Sequence, residues 1–295
     1  MVGKKSKGEK VFNVINFLIM VGVIIITLYP MYYVVVASFT DGNELMASRG
    51  LLLAPKGFNL DSYKSVFNNP NIFSGYRTTL FVVVVGTALN VFMTAIGSFI
   101  LTREQFPLSK PLGYIMVFTM YFSGGMIPTY LVVNNFLNLG DSVWAMILPG
   151  LISVYNLLIM RANFASIPRS LEEAAAIDGA NDIIILFRII IPLSKAVIAI
   201  MVLYYGVAHW NAWFEAMLYL RTKAKYPLQL ILREILVSND MTSMGDAAGD
   251  VQDRYMIGET IKYATIVVAT IPILCLYPFI QKYFVKGVMV GAVKG

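Results

Sequence analysis

Cysteine and histidine are almost missing from this chain: Cys275 and His209 are each the single copy. One cysteine excludes a disulfide within the chain and any multi-cysteine metal cluster. One histidine excludes the paired zinc ligands of H-E-x-x-H. Charge is scarce too. Only 14% of residues are charged, against about 25% in soluble domains, while 58% are hydrophobic. The core of a soluble protein of this length cannot hide that much apolar surface, so the surplus must face lipid. No G-x-x-x-x-G-K-S/T occurs to cradle ATP phosphates, and no G-x-S-x-G elbow carries a nucleophile. Catalysis by this chain is therefore not expected. Cys275 lies in an apolar run and reads as a buried, inert thiol. The formal net charge of +6 is scattered along helix ends, a pattern of membrane orientation and not of nucleic-acid binding.

What is present is apolar length. A hydrocarbon layer of about 30 Å needs roughly 20 residues of helix, and six segments meet that need: Val11–Phe39, Thr78–Leu101, Leu112–Leu131, Ser142–Met160, Ala196–Leu220 and Ile261–Ile280. The last requires Pro272 and Pro278 to be tolerated inside a helix, which neighbouring helices permit. The first follows Lys4, Lys5, Lys7 and Lys10. Its apolar run is too long for a signal-peptide core, so it reads as a retained span. The expected fold is an all-α polytopic membrane protein: a tail (1–10), a six-helix transmembrane domain (11–284) and a second tail (285–295). With the N-terminus inside, thirteen Lys and Arg fall on inner segments and eight on outer ones, which places both termini in the cytoplasm.

That topology puts residues 168–192 on the cytoplasmic side, between spans four and five. Ser170 followed by Glu173 reads as a capping box, with Ser170 as N-cap. An alanine-rich run follows, alanine being the best helix former. Asp178-Gly179 then ends the helix, and Asn181 or Asp182 caps a second one running to Pro192. Small alanines on an exposed helix leave a flat surface suited to another protein's groove. Taken singly, each residue also has a plain reading, as cap, filler or turn.

The run Glu173-Ala174-Ala175-Ala176-Ile177-Asp178-Gly179-Ala180, followed by Ile189, Ile191, Pro192 and Leu193, resembles the EAA loop of ABC importer permeases, with Ile191 where leucine is usual. The resemblance covers nearly the whole chain: Phe122–Thr129, Ile159-Met160-Arg161, His209–Trp213 and Tyr283–Gly295 are similar to the smaller permease subunit of the maltose-type, carbohydrate-uptake subfamily. The Phe122–Thr129 run and the tail are more similar to permeases for complex oligosaccharides, uronic-acid ones included. The resemblance implies a bacterial plasma-membrane subunit in which Glu173, Ala174, Ala175, Asp178, Gly179 and Ala180 form a coupling helix. It implies as partners a second homologous permease, two copies of an ATP-binding subunit carrying ATP and Mg, and an extracytoplasmic solute-binding protein, with the tail reaching toward the ATPase.

Cargo contacts are sought among polar and aromatic groups inside spans, which are costly in lipid and usually face a cavity. Asn90, Asn156, Asn211, Trp210 and Trp213 are the candidates, with His209, Tyr204 and Glu215 near them. Amides bond sugar hydroxyls and aromatic faces stack on sugar rings. The competing reading is glue between helices, which suits His209 best. The outer segments 40–76 and 221–260 are too long for turns and suit a protein partner. The second holds Asp240, Asp246, Asp250, Asp253 and Glu259 but does not match a calcium loop. A channel or ion-coupled carrier acting alone is the alternative, although no clear internal repeat supports it.

Overall fold

The computed structural model describes residues 7–48, 50–103, 105–238 and 260–275. Regular structure there is helical throughout, with no strand among the described residues. The chain divides into two compact units, Met1–Asn69 with Ile235–Ile271, and Pro70–Glu234 with Pro272–Gly295.

In the first unit, α1 (Lys7–Ser38) is a 32-residue helix close to the predicted span. Apolar side chains such as Phe12, Ile26 and Leu28 remain more than half exposed along it, as expected of a helix whose cover is lipid. Its end is different. Val36 and Ala37 pack with Leu45 and Leu52 into a small core, and Tyr33 meets Tyr263 edge-on at 5.8 Å. The outer segment 40–76 is not a plain loop, since it folds α2 (Gly42–Ala47) and α3 (Asp61–Asn68). Asp41 caps α2 by accepting from the Asn43 N–H at 2.9 Å. Ser62 of α3 donates to Thr260 Oγ1 at 2.6 Å.

The second unit begins with α4 (Pro70–Thr102), a continuous 33-residue helix that starts well before the expected Thr78 and contains a π-type turn at Val82–Gly86. Three expected spans are broken. The third folds as α5 (Ser109–Tyr121) and α6 (Met126–Phe136), bent by 114° where Gly125 takes φ +86°. The fourth is a single 3-10 turn, Val143–Met146, an irregular stretch through Pro149-Gly150, and α7 (Val154–Ala165). Proline lacks the N–H that would continue the helix. The fifth stops at Trp210: α8 (Arg169–Ile177) and α9 (Asp182–Leu193) precede α10 (Lys195–Trp210), with α9 and α10 bent by 86°. After Asn211–Trp213 come α11 (Phe214–Tyr219) and α12 (Leu228–Ser238). The helix α12 lies in the segment read as an outer loop.

Among the described residues, two helices are long and apolar enough to cross a membrane, or up to four if each bent pair is one span. The sixth candidate, α13 (Thr260–Cys275), is shorter. Its expected continuation to Ile280, the acidic residues 240–259 and both tails beyond Lys7 and Cys275 lie outside the described residues. Cys275 is exposed, which corrects the reading of a buried thiol. An apolar run in a membrane protein can face lipid as easily as its own core. The central core joins Ala95 and Phe99 of α4, Met160 and Phe164 of α7, Ile185, Leu186 and Ile190 of α9, and Met201 and Tyr205 of α10.

Candidate functional site

The element formed by α8 and α9 carries the motif singled out above, and backbone chemistry explains its spelling. Helix α8 starts after Pro168 with no side-chain cap, so the expected capping box does not form. Because Arg169 is already helical, Ser170 lies inside the first turn and not ahead of it. The other end follows the expectation. Gly179 takes φ +83°, the left-handed geometry that glycine adopts without a Cβ clash. Its N–H donates to the Ala176 carbonyl at 3.0 Å, and the Ala180 N–H reaches back to Ala175 at 2.9 Å. This is a Schellman motif, whose apolar partners are here Ala175 and Ala180. Both alanines pack against the central core. Asn181 then caps α9 by accepting from the Ile184 N–H at 2.9 Å.

The alanines therefore divide. Ala175 turns inward, whereas Glu173, Ala174, Ala176, Ile177 and Asp178 are exposed. Ile177 is 87% exposed and Ile183 68%, the two most exposed apolar side chains of this element. The motif contained Ile177, but composition alone did not mark it as a contact. Sequence reasoning also missed the inner anchor: Arg103, the residue that ends α4, donates to Glu172 Oε2.

The cargo candidates separate by burial. Asn90 is fully buried and its amide N–H groups donate to the Gly150 and Leu151 carbonyls at 2.8 and 2.9 Å. Its Oδ1 lies 2.7 Å from His209 Nε2. Asn90 thus holds the irregular backbone of the fourth segment, where orphan carbonyls need partners. Gly86 makes room for this: a Cβ there would lie 2.6 Å from the His209 ring nitrogen. Thr94 and Ser98 continue the stripe at four-residue spacing. Thr94 bonds the Tyr205 hydroxyl at 2.7 Å, that hydroxyl accepts the Ser153 N–H at 3.0 Å, and Ser98 donates to the Leu157 carbonyl at 3.0 Å. Asn156 and Trp210 are buried as well. Asn211 and Trp213 are exposed at the break after α10, where the Arg233 guanidinium lies 4.8 Å from the Trp213 ring.

A polar node ties residue 141 to residues 221–225. Asp141 accepts the Arg221 and Thr222 N–H groups at 2.9 and 3.0 Å, and Lys225 Nζ at 2.8 Å. Lys225 first, then the two backbone donors, hold the carboxyl well below the usual carboxylate range.

The described residues form a helical chain with helices long and apolar enough to cross a membrane and a motif helix closed by a Schellman turn with an exposed apolar tip. The chain belongs to the family of binding-protein-dependent transport system inner membrane components, whose pattern matches residues 80–290. It is 44% identical over 98% of its length to LplC of Bacillus subtilis, covering 97% of that protein. It is 42% identical to the polygalacturonan/rhamnogalacturonan transport system permease protein YtcP of the same organism, over 97% of this chain and 99% of YtcP. Among solved structures it matches a chain of a bacterial ABC transporter involved in the import of the acidic polysaccharide alginate, with a TM-score of 0.87, 30% identity, and 96% and 100% of the two chains covered. The resemblance read from the EAA motif is thereby borne out: this is a permease of the ABC-importer class.

Proposed function

We propose that this chain is one of two homologous permeases of a bacterial ABC importer that carries an oligosaccharide containing uronic acid. In this reading it crosses the plasma membrane six times, three crossings being broken helices, with both termini in the cytoplasm. ATP and Mg act on two ATP-binding subunits, one of which seats α8. An extracytoplasmic solute-binding protein delivers the sugar. The cargo class rests on the relatives, since polygalacturonan is a uronic-acid polymer and alginate an acidic one. Asn211 and Trp213 remain the cargo contacts of choice, because Asn90, Asn156 and Trp210 are buried in packing.

The observation that carries the docking role is Ile177. An isoleucine 87% exposed, on a helix end fixed by a Schellman turn and two core alanines, presents apolar surface that a partner would bury. Closure of the ATPase pair would then move α8, α9 and α10 as packed rods, gating by rigid-body motion. The test is co-purification of the ATP-binding subunit with Ile177→Asp and Glu173→Ala variants, alongside uptake of tetragalacturonate. Loss of both supports the reading. Retained association with normal uptake would sink the docking role of α8 and place the ATPase seat elsewhere on the chain.

A further inference from the structure

We propose that Arg103 is a positioning residue, a strut through which motion of the docking helix α8 reaches α4 directly. This inference rests on the docking role of α8 proposed above. The strut reading begins with where the guanidinium sits. It lies 4.0 Å from the centre of the Phe99 ring one turn back on its own helix, so a cation–π contact fixes its base. Its Nη1 donates to Glu172 Oε2 of α8, and Nη2 lies 3.5 Å from Asp182 Oδ1 at the start of α9. One side chain thus joins the end of α4 to both helices of the coupling element.

Two further observations make this contact a mechanical one. A cavity of about 1010 Å³, lined by Phe92, Arg103, Glu172, Asp182 and Phe187 among others, opens between α4 and the α8–α9 element. Apolar contacts join α4 to α9 beside this cavity, Phe92 stacking on Phe187 at 6.2 Å, while the Arg103–Glu172 ion pair carries the link from α4 to α8 across it. Glu172 and Arg103 are also largely shielded, their side chains 17% and 25% exposed, so the pair escapes most of the screening that weakens surface salt bridges. The adjacent acidic residues differ: Glu172 pairs with Arg103 of α4, while Glu173 is exposed at the cavity's edge. Arg103 Nε and Nη2 make no hydrogen bond, so the 3.5 Å ion pair of Nη2 with Asp182 has room to tighten as the helices shift. Helix α4 in turn carries the Asn90 stripe, so a push on α8 arrives at the buried seam without passing through α9 and α10.

The test uses the whole importer complex in nanodiscs, with Cys275→Ser as background and Arg103→Cys with Glu172→Cys replacing the ion pair. Hydrogen exchange of peptides around Phe99 and of α8 is measured before and after trapping with ATP and vanadate. The expected result is that the ATP-binding subunit still co-purifies and α8 still responds to trapping, while the response around Phe99 falls about fivefold or more. A short bifunctional methanethiosulfonate cross-linker then restores that response, and dithiothreitol removes it again. An Arg103→Lys variant, keeping charge without the planar fork, falls between. An unchanged response around Phe99 in the double-cysteine protein, or no restoration by the cross-link, overturns the strut. So does loss of the ATP-binding subunit, which would make Arg103 only a support for the shape of α8. Failure of docking itself is read separately: if Ile177→Asp leaves association intact, α8 is not the seat, whatever Arg103 does.

Discussion

The α8–α9 element and the seam around Asn90 are opposites built from similar material. Both contain short polar side chains beside irregular backbone. In the seam most such groups are spoken for, the Thr87 hydroxyl aside: the Asn90 amide meets two carbonyls and His209, and Tyr205 meets Thr94 and Ser153. In the α8–α9 element the backbone is equally well closed, yet Glu173, Ile177 and Ile183 are left facing outward. A region that satisfies itself is there to hold a shape. A region that closes its backbone but exposes its side chains is what the proposed docking role requires. Intramembrane polarity alone does not mark a cargo site, and Asn90 shows why.

The contrast is open to attack at four points. The largest effect is expected for Asn90→Leu, which orphans two buried carbonyls and the His209 ring nitrogen. Unsatisfied buried groups cost about 1–3 kcal/mol each, so a loss of about 3 kcal/mol should lower the melting temperature of the purified complex without touching ATPase association directly. Next comes Ile177→Asp, which should weaken binding of the ATP-binding subunit by about 2 kcal/mol, roughly 30-fold, while the melting temperature stays put. If these two variants showed the same pattern of losses, the distinction between the regions would collapse. Gly179→Ala forces a Cβ into φ +83° and should cost about 1 kcal/mol, seen as faster hydrogen exchange at the end of α8 alone.

The smallest effect concerns pH. Asp141 keeps its proton off more readily in the folded chain than unfolded, so the stability it adds is present above its unfolded value near 3.9. It is lost as pH falls through the lowered folded value. Acid below about pH 4 should therefore loosen residues 219–226 in hydrogen exchange, and Asp141→Asn should remove that pH dependence.

Local signals served well where the chemistry is local. Asp178-Gly179 and Asn181 act as read, because a left-handed turn and a side-chain cap involve residues two or three apart. The capping box failed by two residues of helix start, a shift that propensity cannot resolve. The stripe Asn90, Thr94 and Ser98 has four-residue spacing in the sequence, but of its members Asn90 alone was named, and as a cargo contact. Hydropathy located apolar segments and not their continuity. Pro149-Gly150 and Gly124-Gly125 were the available signs that the fourth and third would break, and both sit inside runs apolar enough to mask them.

Composition and short-range pattern by themselves determined the class: a helical, lipid-facing chain with one alanine-rich interruption closed by Asp178-Gly179. Lipid offers the backbone no hydrogen bonds, so an apolar chain of this length is driven into helices. Tertiary structure alone decided which polar groups were left over. Whether Asn90 meets sugar or carbonyl, and whether Glu172 faces Arg103 or a partner, depends on residues about 60 to 120 positions away. Only packing brings those groups within hydrogen-bonding distance.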